Sequence, residues 1–278
     1  MLDYLLTNAV SEDALKRAHW LLAHGADPRS PHYYSKRNLH TEALLRGHTE
    51  LATLLLQAGG VAESLEGHDA FQVACLRLDR DAAALLAARH PEYLRNPAPL
   101  MLTASHDLRD VAQLLLDLGM SPDVADATNH RPLHAAASSD SVAVGTLLIE
   151  RGAEIDPVES KFSGIPLTWA MHFKQARMIA MLGRLSRQPW ALARLGNVGR
   201  LRELFTEEPA LARATHDEGS LLFHLPADEE RALQVVELLL AHGADPRATD
   251  RHGTTASEHA EKQGLDAVAD LLTLRAQA

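Results

Sequence analysis

The nonapeptide LLAHGADPR occurs at Leu21–Arg29 and again, unchanged, at Leu239–Arg247. It carries no nucleophile and no cluster of metal ligands, so a duplicated active site explains it poorly. A copied structural unit explains it better, and weaker copies fill the interval. The glycine of the motif recurs as Gly25, Gly59, Gly119, Gly152 and Gly243. The first step is 34 residues, the step from 119 to 152 is 33, and the remaining gaps of 60 and 91 divide into two and three units near 30. Periods of this size are the signature of a solenoid, in which each unit buries its apolar face only against its neighbours.

Each glycine closes a run with apolar residues three and four apart: HTELATLLLQAG, RDVAQLLLDLG, SVAVGTLLIERG and RALQVVELLLAHG. That spacing predicts helices. The glycine falls one past the last periodic residue, where a left-handed cap penalises any Cβ, and proline follows in two copies to stop the helix. A shorter helix is predicted ahead of each long one. The clearest is NHRPLHAAASSDS, Asn129–Ser141, where Pro132 suits a first turn and Ala135, Ala136 and Ala137 allow a neighbouring helix to come close. GIPLTWAMHF (Gly164–Phe173), GSLLFHLPAD (Gly219–Asp228) and HGTTASEHAEKQG (His252–Gly264) are its counterparts.

Composition agrees with packed helices: 46% of the 278 residues are hydrophobic but only 4% aromatic, so the core is aliphatic. The one cysteine, Cys75 in FQVACLRL, permits no intramolecular disulfide and reads as a buried small hydrophobe. A net charge of −10 opposes general binding to nucleic acid or anionic lipid. No apolar run reaches the ~18 residues of a membrane span. The start MLDYLLTNAV carries Asp3 and lacks a basic segment, so a cytoplasmic location is expected. Arginine outnumbers lysine and Ala and Leu abound, a bias associated with GC-rich bacterial genomes.

The stretch DATNHRPLHAAASSDSVAVGTLLIERGAEID carries the turn, Pro-Leu-His start, paired helices and Gly-Ala stop of the ankyrin repeat. NLHTEALLRGHTELATLLLQAGG and DRHGTTASEHAEKQGLDAVADLLTL are further copies, so nearly the whole chain resembles the ankyrin-repeat family. The resemblance implies an all-α solenoid of about nine helix-turn-helix units with short β-turn fingers. The units fall near 1–30, 31–63, 64–93, 94–126, 127–160, 161–187, 188–215, 216–250 and 251–278. Two blocks are expected: 1–187, an N-terminal cap and five units, and 188–278, a divergent unit, one regular unit and a C-terminal cap. The stack is expected to run on continuously or to kink near 184–192, around RLSRQPWAL. AALLAARHPEYLRNPAP and RLRELFTEEPALARATHD end in proline instead of the glycine stop.

Sixteen histidines invite a metal reading, but no His-Glu-x-x-His run exists and one cysteine builds no zinc cluster. The resemblance implies that His24, His48, His134, His224 and His242 bond to backbone and link repeats. LGNVG, Leu195–Gly199, lacks the strand, third glycine and lysine of a phosphate loop and reads as an interhelical turn. No catalytic, cofactor or metal site is expected, and the chain does not read as an enzyme.

The resemblance also implies a protein-binding surface on the fingers and short helices. Its candidates are Tyr33, Tyr34, His106, His130, Arg131, Ser138, Ser139, Phe162, His172 and Phe173. Tyr33 and Tyr34 are either partner anchors or a cover for the apolar seam of the first cap; Trp169 is assigned to the core. The resulting expectation is a monomeric, non-catalytic module that binds a protein partner through the concave face of the array, without nucleic acid, membrane or cofactor. The second reading is an inhibitory or regulatory subunit of one enzyme or toxin, or a secreted bacterial effector acting on host proteins.

Overall fold

The computed structural model describes residues 1–216 and 219–277. These residues form seventeen α-helices with scarcely any strand, and their contacts divide the chain into two compact units, Met1–Asp126 and Ala127–Ala278. The first unit holds four helix pairs: α1 (Leu2–Ser11) with α2 (Leu15–Ala23), α3 (Leu39–Leu45) with α4 (Thr49–Gln57), α5 (Gly67–Leu76) with α6 (Arg80–Arg89), and α7 (Ala98–Ser105) with α8 (Arg109–Asp117). The second holds α9 (Pro132–Ser138) with α10 (Val142–Glu150), α11 (Pro166–His172) with α12 (Ala176–Leu185), α13 (Pro189–Leu195) with α14 (Val198–Glu207), a lone α15 (Glu229–Ala241), and α16 (Ala256–Lys262) with α17 (Asp266–Gln277).

The marker glycines stop the second helices as expected, with φ between 85° and 97° at Gly25, Gly59, Gly119, Gly152 and Gly243. A second left-handed position, not expected from sequence, turns the chain inside every pair: Asp13, Gly47, Leu78, Asp107, Asp140, Lys174, Gly196 and Gly264. The residue after each donates its N–H to a carbonyl five positions back, as in His48 to Ala43 (2.9 Å), Ser141 to Ala136 (3.0 Å) and Gln175 to Ala170 (2.9 Å). This bond satisfies a carbonyl that the helix end leaves open. Leu78, at φ 57°, is the one apolar side chain among them. It has neither glycine's freedom nor the local bonding of Asp, and the left-handed region costs an L-residue about 1–2 kcal/mol. Glycine's extra chain entropy offsets part of that gain. Leu78→Gly is therefore expected to raise the unfolding free energy by up to about 1 kcal/mol; a lower urea midpoint would contradict the strain.

The repeated nonapeptide performs the same work twice. His24 Nδ1 bonds the Trp20 carbonyl (2.8 Å) and His242 Nδ1 the Leu238 carbonyl (2.9 Å), each closing its own helix. Asp27 accepts from the Arg29 N–H and Asp245 from the Arg247 N–H. Arg29 Nε then donates to the Gly59 carbonyl (2.9 Å), and Arg247 Nε to the Ala276 carbonyl (2.8 Å). Each copy thus ends one helix and caps the C-terminus of the next repeat's second helix, where a cation is favoured.

One expectation is corrected. GSLLFHLPAD forms no α-helix, only a 3₁₀ turn at Leu221–Phe223, because Pro226 lacks the N–H that continuing helix needs. All three turn residues are nevertheless buried, filling the place of a first helix. The two proline-ended units each add a 3₁₀ turn, Pro91–Arg95 and Pro209–Arg213, in place of the glycine stop. The contacts divide the chain at 126/127. The stretch 184–192 is knitted into the second unit: half-buried Asp156 accepts from Ser186 Oγ (2.8 Å) and the Arg187 N–H (2.7 Å), and Asn197 Nδ2 donates to the Gly183 carbonyl (2.8 Å).

The core is aliphatic throughout. Leu6, Leu39, Leu51 and Leu55 are fully buried in the first unit, and Leu133, Leu147 and Leu148, with Phe205, in the second. Cys75 is buried as read, and burial pushes its thiol up to about 12.

Candidate interaction surface

The fingers are short antiparallel turns. Pro31 pairs with Asn38, Thr249 with Thr255, and the Glu159 N–H donates to the Gly164 carbonyl at 3.0 Å. An acidic residue organises the turn. Glu159, 1% exposed, accepts from the backbone N–H groups of Lys161 (2.7 Å), Phe162 (2.8 Å) and Gly164 (3.1 Å). Burial alone would raise its pKa, but these N–H groups and nearby His134 hold it below the usual range. Adjacent fingers are tied together: the Ser160 N–H donates to the Thr128 carbonyl (2.8 Å), and Asn129 Nδ2 to the Val158 carbonyl (2.7 Å).

Of the histidines expected to bond backbone and link repeats, His134 and His48 do both, while His24 and His242 bond a carbonyl of their own helix. His134 is fully buried: its Nδ1 accepts from the Arg131 N–H at 3.1 Å, so Nε2 carries the hydrogen it directs at the Pro157 carbonyl (3.1 Å). It thereby joins one repeat's helix start to the next finger. His48 Nδ1 bonds the Val10 carbonyl at 2.9 Å, joining α3–α4 to α1. His224 is buried as well. Among the described residues no group of three His, Cys, Asp or Glu is placed to hold a metal, and no helix is long and apolar enough to cross a membrane.

Rings gather where the 159–164 finger meets α11. The Glu159 turn drives Phe162 outward, 66% exposed. Pro166 and the Thr168 hydroxyl, which accepts from the Ile165 N–H (2.9 Å), start the helix. Its Leu167 and Ala170 are buried, which turns Trp169, His172 and Phe173 the other way. Trp169 meets Phe162 at 6.1 Å between ring centroids, Phe173 at 5.9 Å and His130 at 5.0 Å; His172 stands edge-on to Phe173 at 4.9 Å. Gly164 permits this, since a Cβ there would lie 2.7 Å from Trp169 Nε1. The rings border a groove of about 560 Å³ whose far side is Arg194, from α13. Trp169, assigned to the core by sequence, is thus corrected: it is half-buried and forms the centre of the cluster, because Leu167 and Ala170 take the inward face of α11.

The other candidates are not all free. Arg131 has only 17% of its side chain exposed and pairs with Glu154 at 2.6 Å, its Nε donating to Asn129 Oδ1. Ser138 is half-buried, its hydroxyl donating to the Ala135 carbonyl, and Ser139, exposed, ends α9. In the first unit His106 is exposed and bonds back to the Leu102 carbonyl. Tyr33 and Tyr34 are 53% and 67% exposed, yet Tyr33 stands edge-on to Tyr4 of α1 at 5.1 Å and Lys36 Nζ lies 4.8 Å over its ring. Both readings of this pair therefore keep a part: one edge rests on the cap helix while most of each ring faces solvent.

Helix pairs with a repeated glycine stop, linked fingers and a histidine bridge define a helical repeat protein. Residues 88–159 match the family model for ankyrin repeats, in three copies. Chains of solved structures also match, among them an ankyrin repeat domain from Acinetobacter baumannii AYE, with 22% sequence identity, a TM-score of 0.49 and coverage of 65% of this chain and 98% of that one. No curated protein matches. Ankyrin repeats indicate a protein–protein interaction module.

Proposed function

We propose that the chain is a non-catalytic, monomeric module that binds a protein partner through the fingers and first helices of its second unit, in the cytoplasm of a bacterium. The observation that carries this reading is the pair of exposed rings Phe162 and Phe173 flanking half-buried Trp169 around an open groove, in a chain where aromatics are 4% of residues. Exposed aromatic clusters are favoured interface anchors. On the second helices Arg109, Asp110, Asp117, Glu150 and Glu237 are exposed charges, and the exposed Trp20 of α2 stacks on His24 of its own helix end. The net charge of −10 supports a protein partner over nucleic acid or anionic lipid. A photo-crosslinking amino acid at position 162, expressed in the native host, is expected to give a discrete protein adduct that the same group at position 237 does not. Equal labelling from both positions, or adducts from 237 alone, would overturn the assignment of the face.

A further inference from the structure

The groove's rim runs against the charge of the chain as a whole. Acidic residues outnumber basic ones 37 to 27, and nearby arginines are taken up by carboxylates: Arg131 by Glu154, Arg177 by Asp140, Arg187 by Glu207 and Arg200 by Glu203. Lys161, His172 and Arg194 are different. All three are exposed, and among the described residues none makes an ion pair. Lys161 Nζ lies 5.0 Å over the Phe162 ring, and His172 packs on Phe173. The acid nearest in sequence, Glu159, is buried and fully engaged by backbone N–H groups. In a chain with surplus carboxylates, two cations, Lys161 over Phe162 and Arg194 on the groove, thus stand beside an apolar floor with no ion-pair partner among the described residues.

We infer that this groove receives an acidic segment of a partner protein anchored by an apolar side chain, its carboxylates meeting Lys161, His172 and Arg194 while the anchor lies against Trp169 between Phe162 and Phe173. This rests on the groove being the docking face, as proposed above, and adds the chemistry of what docks. Charge complementarity of this kind governs partner choice and association rate more than total affinity, and it is screened by salt. A single-stranded polynucleotide would also find cations and rings here, but the overall charge of −10 repels a polyanion as it nears, whereas a short acidic segment carries its charge only at the rim.

The test uses the full chain and four fluorescein-labelled probes: a dodecapeptide of alternating Glu and Leu with one central Phe, its counterpart with Lys for every Glu, one with Ser for every Leu and Phe, and a dodecamer of deoxythymidylate. Fluorescence anisotropy is expected to show the acidic apolar peptide binding at least tenfold tighter than the other three, and several-fold weaker when salt rises from 50 to 300 mM. Lys161→Glu with Arg194→Glu, both surface changes, is expected to weaken that peptide at least tenfold and to strengthen the lysine peptide; Phe162→Ala should weaken both. If both apolar peptides bind alike and both are lost in Phe162→Ala, the charge preference is overturned while the groove stands. Tightest binding of the oligonucleotide overturns the protein-segment assignment. No binding of either apolar peptide up to 1 mM overturns the groove together with the inference.

Discussion

Phe205→Ala is expected to destabilise the second unit by about 3–5 kcal/mol, the range for deleting a buried phenyl ring from a core that does not close up. Phe205, on α14, is 1% exposed, and its ring centroid lies 5.4 Å from that of His242. Leu201 and Leu204 of the same helix and Val235, Val236 and Leu239 of α15 are buried as well. Phe162→Ala is the internal comparison. With 66% of its side chain in solvent, its loss is expected to change stability by less than about 0.5 kcal/mol. Urea unfolding of the two variants beside the parent chain checks the contrast; a cost below 1 kcal/mol for Phe205→Ala would show that the core is loosely packed there.

Acidification from pH 7 to pH 5 is expected to remove about 2 kcal/mol through His134 alone. Burial, reinforced by neighbouring His130, pushes this imidazole down to about 4 in the folded chain, against about 6.5 unfolded. The folded form thus holds fewer protons than the unfolded form between those values, and stability rises with pH across that window. The contribution is fully present above about 6.5 and is lost as pH falls towards 4. Geometry gives the same sign: Nδ1 accepts from the Arg131 N–H, and a proton there would end that bond. His32, His40, His48 and His68 are also lowered by burial and act in the same direction. The check is urea unfolding at pH 7 and pH 5 for the parent and for His134→Gln. The variant should be less stable at pH 7 but should lose about 2 kcal/mol less on acidification; parallel losses would remove His134 as the source.

What the sequence discloses here follows from which constraints are periodic. The second helices and their glycine stops recur because every repeat needs the same turn at the same place, so a marker residue locates them. The second left-handed position in each pair escapes notice because aspartate, lysine and even Leu78 fill it as well as glycine, and no residue type marks it. The 3₁₀ turn at Leu221–Phe223 is hidden for a related reason: its three apolar residues bury like a first helix while Pro226 shortens them to a turn. At the surface, Phe162, His172 and Phe173 are found from their scarcity and slot. Trp169 is misplaced because large aromatics usually mean core, and nothing local says that Gly164 leaves room for an indole against the finger. Arg131 fails as a free anchor because its partner Glu154 lies 23 residues on, a distance that only the repeat geometry closes.

Cys75 has a practical bearing on these experiments. Its thiol is the sole one in the chain, is 1% exposed and, with a pKa near 12, is almost wholly protonated at neutral pH, whereas the nucleophile in alkylation is the thiolate. The native protein is therefore chemically silent towards maleimides and disulfide reagents while folded. A cysteine introduced at position 162 would be the single reactive handle, so a fluorophore or spin label can be seated at the groove without first removing any native residue.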